Sequence, residues 1–372
     1  MRNKKINRPR SINSGRWRNR KVGIVIAVVL SLFASWTLLV YSGAVDPLFK
    51  QKGKQSGTMS VQSFNSNSPS KEYIYAGGRL VATEEPSGGA QSSGTKAQFD
   101  FEGDLKTNIS VFRPSDGNWL ILNPDNATYY VVGWGFNGDK LVPADYDGDG
   151  KCDIAVFRPS DGTWWVKKSS DGQTIYKQFA ASGDIPVPGD YDGDGKANIA
   201  VFRPSDGTWW ILNPDNVTQT VVGWGIPGDK PVPADYDGDG KCDVAVFRPS
   251  NGTWWIKKST AGDFSKQFAA TGDIPVPGDY DGDGQANIAV FRPSDGTWLI
   301  LNPDNATYYV VGWGIPADTP VPADYDGDGK CDVAVFRPSN GTWWIKGSTA
   351  GDFSKQFAVS GDIPVPSAFI QQ

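Results

Sequence analysis

The chain has 372 residues, a formal net charge of −5, no histidine, three cysteines and fifteen tryptophans, with abundant Gly and Pro. Lack of His excludes His-based acid–base catalysis and His-ligated zinc. Residues 1–21 carry nine Lys or Arg and no acid, which leaves the remainder near −14, so a basic nucleic-acid-binding face is not expected of the body. Helix formers are not grouped into long periodic runs, and the composition points to an all-β chain with many turns.

Residues 1–21 form a basic cytoplasmic leader. Residues 22–41 follow without a charge, and as a helix they would span the roughly 30 Å hydrocarbon core. Positive charge on the N-terminal flank puts that end in the cytoplasm. Two readings of residues 22–44 stay open: an uncleaved transmembrane signal anchor, or a signal peptide cut at Ser42, Gly43 and Ala44. Either exports the body, as a membrane-anchored extracytoplasmic protein whose membrane contact is this helix, or as a secreted one. Residues 45–95 read as a flexible linker by composition, with a hairpin expected at 72–83, where EYIYAGGRLVAT alternates around Gly-Gly.

Internal repetition governs residues 96–372. Units begin at Asp100, Asp145, Asp190, Asp235, Asp279 and Asp324, and they alternate between an NPDN-containing and a KQFA-containing type. In each unit an apolar β-branched strand such as residues 154–158 meets a Pro-Ser-Asp-Gly turn, then a Trp-rich strand (163–166) and a third strand, as at 129–134. A short Pro-Val-Pro segment such as 186–188 supplies the fourth strand. Proline donates no ladder hydrogen bond, so this strand belongs at a sheet edge. Four strands per unit with a proline strand at one edge is the pattern of a β-propeller blade. A seventh inner-strand candidate, residues 363–370, either closes a six-bladed ring in place of residues 97–101 or joins the 72–83 hairpin in an incomplete seventh blade.

The stretch DYDGDGKCD at residues 145–153 returns with small changes at 190–198, 235–243, 279–287 and 324–332. Acidic residues at positions one, three, five and usually nine repel one another unless a hard cation lies among them. Calcium takes six to eight oxygens, and a Gly at position six permits the sharp turn. An EF-hand is excluded because position twelve is Val156, with β-type sequence on both sides.

These residues, with the IAVFRPSDGTWW that follows the loop, resemble the FG-GAP/VCBS repeats whose relatives form the head of integrin α subunits. The resemblance implies a β-propeller with calcium between the first and second strands of a blade, at about five sites. It assigns ligation to Asp145, Asp147, Asp149, the Lys151 carbonyl and Asp153, and to Asp190, Asp192, Asp194, Lys196 and Asn198. The same roles fall to Asp235, Asp237, Asp239, Lys241 and Asp243, to Asp279, Asp281, Asp283, Gln285 and Asn287, and to Asp324, Asp326, Asp328, Lys330 and Asp332. Asn198 and Asn287 each remove a charge and should weaken their sites. Loop one, DFEGDLKTN at residues 100–108, has Glu102 for Asp and Leu105 for Gly, and is expected to be poor in metal.

Cys152, Cys242 and Cys331 recur every second unit, too far apart for disulfides, and are read as buried free thiols. Of paired tryptophans such as Trp164 and Trp165, one should face a neighbouring blade. Arg158 and Arg203 are expected to pair with an Asp or stack on a Trp. Trp134, Trp224 and Trp313, in Gly-Trp-Gly settings, are the candidate ligand-binding residues. Sequons occur at Asn126, Asn216, Asn251, Asn305 and Asn340. No unit offers a unique carboxylate pair for hydrolysis, so the expectation is a non-catalytic adhesion or recognition module with an extracellular protein or glycan ligand. A calcium-dependent lectin and a propeller-based hydrolase are the alternatives.

Overall fold

Each repeat folds as a four-stranded antiparallel meander, and six of these make a propeller ring. The computed structural model describes residues 72–76, 79–84, 97–123, 127–303 and 305–370. The leader, the apolar segment and most of the linker lie outside the described residues, and among the described residues no helix is long and apolar enough to cross a membrane. The chain divides into two units at Pro86 and Ser87. In the first, Glu72–Ala76 pairs antiparallel with Arg79–Glu84 as a sheet of its own.

From the inner edge outwards, blade two consists of Lys140–Leu141, Ile154–Arg158, Thr163–Lys167 and Thr174–Gln178. Blade three is Ile185–Pro186, Ala200–Arg203, Thr208–Leu212 and Gln219–Gly223, and blade four Lys230–Pro231, Val244–Arg248, Thr253–Lys257 and Asp263–Gln267. Blade five holds Ile274–Pro275, Ala289–Arg292, Thr297–Leu301 and Tyr308–Gly312. Blade six holds Thr319–Pro320, Val333–Arg337, Thr342–Lys346 and Asp352–Gln356.

Blade one draws on both ends of the propeller. Ser110–Arg113, Asn118–Leu122 and Tyr129–Gly133 receive their inner strand from Ile363–Pro364, which pairs with Phe112 and Val111. The C-terminal segment therefore closes six blades and is not shared with the hairpin, which settles the seven-bladed alternative against it. Residues 363–370 are not one strand, however. Pro364 and Pro366 cannot donate to a ladder, and after two residues the chain turns into the 3₁₀ segment Val365–Ser367. Phe369 beyond it stacks on Phe99, ring centroids 5.9 Å apart.

The paired aromatic positions divide as strand alternation requires. The first Trp of each pair, or its equivalent (Trp119, Trp164, Trp209, Trp254, Trp298 and Trp343), is wholly buried. It packs on the Phe of the preceding strand, as Trp164 does on Phe157 at 5.3 Å. Its indole N–H reaches a main-chain carbonyl, that of Trp224 for Trp209 at 2.8 Å, so the largest apolar side chain in each blade is buried without an orphaned donor. The second Trp turns to the preceding seam and lies half-buried against the Arg of the FRP motif. Arg203 is 4.7 Å from the Trp210 ring.

Candidate metal sites

The acidic loop joins the inner strand to the second strand of its blade. In blade two, Asp145 turns its carboxylate inward to accept the amides of Gly148 at 2.6 Å and Gly150 at 3.0 Å. Asp153 closes the loop: its N–H donates to the Ala144 carbonyl, and its Oδ2 accepts from the Tyr146 N–H at 2.8 Å. Tyr146 is buried, its hydroxyl donating to the Val142 carbonyl at 2.6 Å. The loop thus hangs from an aromatic anchor on the core while its carboxylates converge above.

Five groups of carboxylates bring oxygens within 4.8 Å of one another: Asp145, Asp147 and Asp153; Asp190, Asp192 and Asp194; Asp235, Asp237 and Asp239; Asp279, Asp281 and Asp283; Asp324, Asp326 and Asp332. Most of the sequence-assigned side-chain ligands are gathered there. The position-seven residues present a different feature. The Lys196 stem lies over Gly148 of the preceding blade, where an added Cβ would come 2.9 Å from it, and Gln285 lies likewise over Gly238.

Position nine is matched to the turn opposite. In blades two, four and six it is Asp, and the turn between the third and outer strands folds over the loop as a donor. Ser169 N–H donates to Asp153 at 2.6 Å, Ser259 N–H to Asp243 at 2.6 Å, and Ser348 N–H to Asp332 at 2.7 Å. The Ser259 and Thr260 hydroxyls donate to Asp239, and the Thr260 and Ala261 amides to Asp237. In blades three and five the residue is Asn, because the group opposite is an acceptor. Asn198 Nδ2 donates to the Leu212 carbonyl at 3.4 Å and to Asp192 at 2.8 Å, and Asn287 repeats this with Leu301 and Asp281. The covering Ser and Thr residues carried a signal that sequence reasoning missed: they occur only in units whose ninth loop residue is Asp.

Burial dominates the electrostatics. It pushes Asp153, Asp243 and Asp332 up to about 6 against the hydrogen bonds they receive, and it raises Asp190, Asp235, Asp279 and Asp324. Burial also pushes on Asp239 and Asp328, but the hydroxyls of the covering turn, together with the amides and charges of Lys241 and Lys330, hold both below the usual range. Two carboxylate oxygens, Asp237 Oδ1 and Asp326 Oδ1, are buried with no hydrogen-bond partner. An all-oxygen donor set of clustered carboxylates with orphaned oxygens fits a hard cation such as calcium.

Loop one keeps the fold of the others. Leu105 takes φ +67, and the Asp100 carboxylate accepts the Gly103 and Leu105 amides at 2.6 and 2.8 Å. Asn108 Nδ2 donates to Glu102 at 3.0 Å, and this loop is not among the five clusters.

The six loops are linked in a circle. Each position-one carbonyl accepts the position-eight N–H of the next blade: Asp100 from Cys152, Asp145 from Ala197, Asp190 from Cys242, Asp235 from Ala286, Asp279 from Cys331 and Asp324 from Thr107, at 2.6–2.7 Å. The thiols fill the seams beside these bonds. All three are free, and burial raises them well above the usual thiol range.

Trp134, Trp224 and Trp313 bridge blades. Their indole N–H groups donate to the carbonyls of Trp165, Trp255 and Trp344 at 3.0–3.1 Å, and Lys167, Lys257 and Lys346 lie over their rings. The Arg of each FRP makes a two-pronged ion pair with a buried Asp from the inner-strand segment, as Arg158 does with Asp139 at 2.9 Å.

Fold and loops together define a six-bladed β-propeller with acidic loops in five blades. Residues 145–201, 190–246 and 235–290 each match the FG-GAP-like repeat model, in agreement with the resemblance read from the acidic loops. No curated protein matches the chain. Among solved structures it is similar to an Agrocybe aegerita lectin described as recognising non-reducing terminal N-acetylglucosamine, at 20% identity and TM-score 0.46, over 71% of this chain and 78% of the lectin. It is also similar to virginiamycin B lyase from Staphylococcus aureus, at 7% identity and TM-score 0.48, over 72% and 86% of the two chains. Likeness at this level says nothing about ligand or activity.

Proposed function

We propose that this chain is a calcium-stabilised, non-catalytic propeller that presents repeated surfaces outside the cytoplasm for adhesion or recognition, held at the membrane by its N-terminal segment or secreted. The buried, partnerless oxygens of Asp237 and Asp326 in converging acidic loops carry the calcium part of the reading. Asp145, Asp147 and Asp153, with the converging carboxylates of four other blades, would hold the ion. The bound ion would offset carboxylate repulsion at the inner end of each blade. No unit sets a distinctive acid–base pair apart from the repeated pattern, which favours binding over catalysis, and six similar blades offer avidity to a repetitive partner. Basic residues 1–21 before an apolar run support export.

Calorimetric titration of metal-stripped protein with calcium tests this. The expected result is about five sites, with affinities on the order of 10⁻⁴–10⁻³ M as in extracellular calcium modules, and a clear rise in melting temperature. No heat and an unchanged melt would overturn the metal reading. A glycan array probed with and without calcium separates a protein-binding module from a lectin.

A further inference from the structure

The odd blades differ from one another at the second position of the paired aromatics. In blade three, Trp210 covers the Arg203 guanidinium at 4.7 Å and joins the buried cluster that also takes up Phe179 and Ala180 of blade two. Blades one and five have Leu120 and Leu299 at that position. Among the described residues no aromatic ring lies over Arg113 or Arg292, whereas Arg203, Arg248 and Arg337 each have one and Arg158 has two. Arg113 and Arg292 are correspondingly the most open of the six, at 27% and 30% side-chain exposure against 20–24%. Each is still held flat by two bonds to its Asp, Arg292 to Asp273 at 2.8 Å.

The shorter side chain leaves space at the seam. Between blades four and five runs a groove of about 280 Å³ lined by Phe268, Ala269, Val290, Arg292, Leu299 and Tyr308. Tyr308 stands edge-on to Phe268 at 5.6 Å, and the seam of blades six and one repeats this with Tyr129 and Phe357 at 5.6 Å. Where Trp210 fills the seam, the residue corresponding to Tyr308 is Gln219. Leucine and tyrosine thus replace tryptophan and glutamine as a pair, exchanging a half-buried indole for an aromatic-walled groove.

We propose that these two seams bind the indole of a tryptophan-bearing peptide, which lies on Arg292 or Arg113 as Trp210 lies on Arg203. A fixed guanidinium plane favours a π-face, and apolar space left by a shortened side chain accepts a ring of matching shape. The groove contains none of the acidic-loop residues, so the proposal stands or falls apart from the calcium reading.

The probe is N-acetyl-tryptophanamide, followed by saturation-transfer NMR and calorimetry on the full chain. Two equivalent sites are expected. Leu299→Trp should halve the stoichiometry, and adding Leu120→Trp should weaken binding at least tenfold with the melting temperature kept, since blade three already accommodates Trp210. Trp210→Leu should create a third site, which keeps the test decisive if the Trp variants fold poorly. No transfer to the wild-type chain, unchanged binding in the double Trp variant, or occupation of the groove by a methyl glycoside and not by the indole would each overturn the proposal.

Discussion

Arg113 and Asp362 are joined by two hydrogen bonds of 2.8 Å although they lie 249 residues apart. In the other five blades the same pair is separated by only 19 residues. The local chemistry is identical, but at this seam the pair also fastens the two ends of the propeller, together with the two-residue pairing of Ile363–Pro364. Removing one partner of a buried ion pair costs about 3–5 kcal/mol. Asp362→Asn and Asp229→Asn should therefore both lower the midpoint in urea. Asp362→Asn should in addition make blade one the first to open, seen as hydrogen exchange in residues 110–122 before the rest. Equal exchange patterns in the two variants would show that the seam has no special standing.

Restoring the fourth carboxylate to the blade-three loop should harm it. Asn198 looks like a weakened ligand in the sequence, yet its Nδ2 donates to Leu212 O and Asp192. In Asn198→Asp a carboxylate would face a carbonyl oxygen and a second carboxylate, with both donors gone. Without calcium the expected loss is about 1–3 kcal/mol, read from thermal melts in chelator. Millimolar calcium should recover part of it. A variant as stable as wild type in chelator would mean that position nine is not selected by the turn opposite.

This case shows where the sequence is legible. Period, turn chemistry and strand patterning give six repeat units and five acidic loops, because those follow from local residue order. Closure by Ile363–Pro364 was open between two outcomes, since a two-residue proline strand carries too little pattern to name its partner. The pairing of Asp153 with Ser169, or of Asn198 with Leu212, depends on which turn folds over which loop, so only contact in three dimensions reveals the reason for alternation. The bridging role of Trp224 was hidden for the same cause: its partner carbonyl, that of Trp255, is in the next blade.

The raised carboxylates give calcium stabilisation a pH dependence. Asp153, Asp243 and Asp332 are pushed by burial from 3.8 up to about 6. Without metal, the folded chain keeps protons between pH 4 and 6 that the unfolded chain has released, so stability falls as pH rises through that window. Calcium competes with those protons and reverses the trend. The difference in melting temperature between calcium-loaded and metal-stripped protein should widen from pH 5 to pH 7. A difference independent of pH would dissociate these three residues from the metal.

Alternation is also built into the seams sterically. Gly189 precedes the blade-three loop, and a Cβ there would sit 2.8 Å from Cys242 Sγ; Gly278 and Cys331 stand in the same relation at 2.7 Å. The units whose loop follows Ala144 or Ala234 instead face Ala197 or Ala286, a smaller residue. Gly189→Ala should destabilise by about 1–3 kcal/mol through overpacking, and Cys242→Ala should rescue most of that loss. Additive effects in the double-mutant cycle would place the two residues out of contact.

The last relationship predicts a gain. In blades two and three, Thr163 and Thr208 donate their hydroxyls to Asp161 and Asp206 and accept the indole N–H of Trp165 and Trp210 at 3.0 Å. Blades four and six have Asn251 and Asn340 in place of the Asp. There Thr253 and Thr342 meet the amide oxygen only through their main-chain N–H groups. The indole nitrogens of Trp255 and Trp344 are consequently buried without a partner. A carboxylate is the stronger acceptor and should draw the threonine hydroxyl into the arrangement of the sister blades, which supplies the missing acceptor to the indole. Asn251→Asp and Asn340→Asp should each stabilise the propeller by about 1 kcal/mol, measured in urea, and their effects should add because they lie in separate blades. In Asn251→Asp combined with Thr253→Val the gain should vanish, since the relay passes through that hydroxyl; a gain that survives the second change would assign the effect to surface charge and remove Trp255 from the explanation.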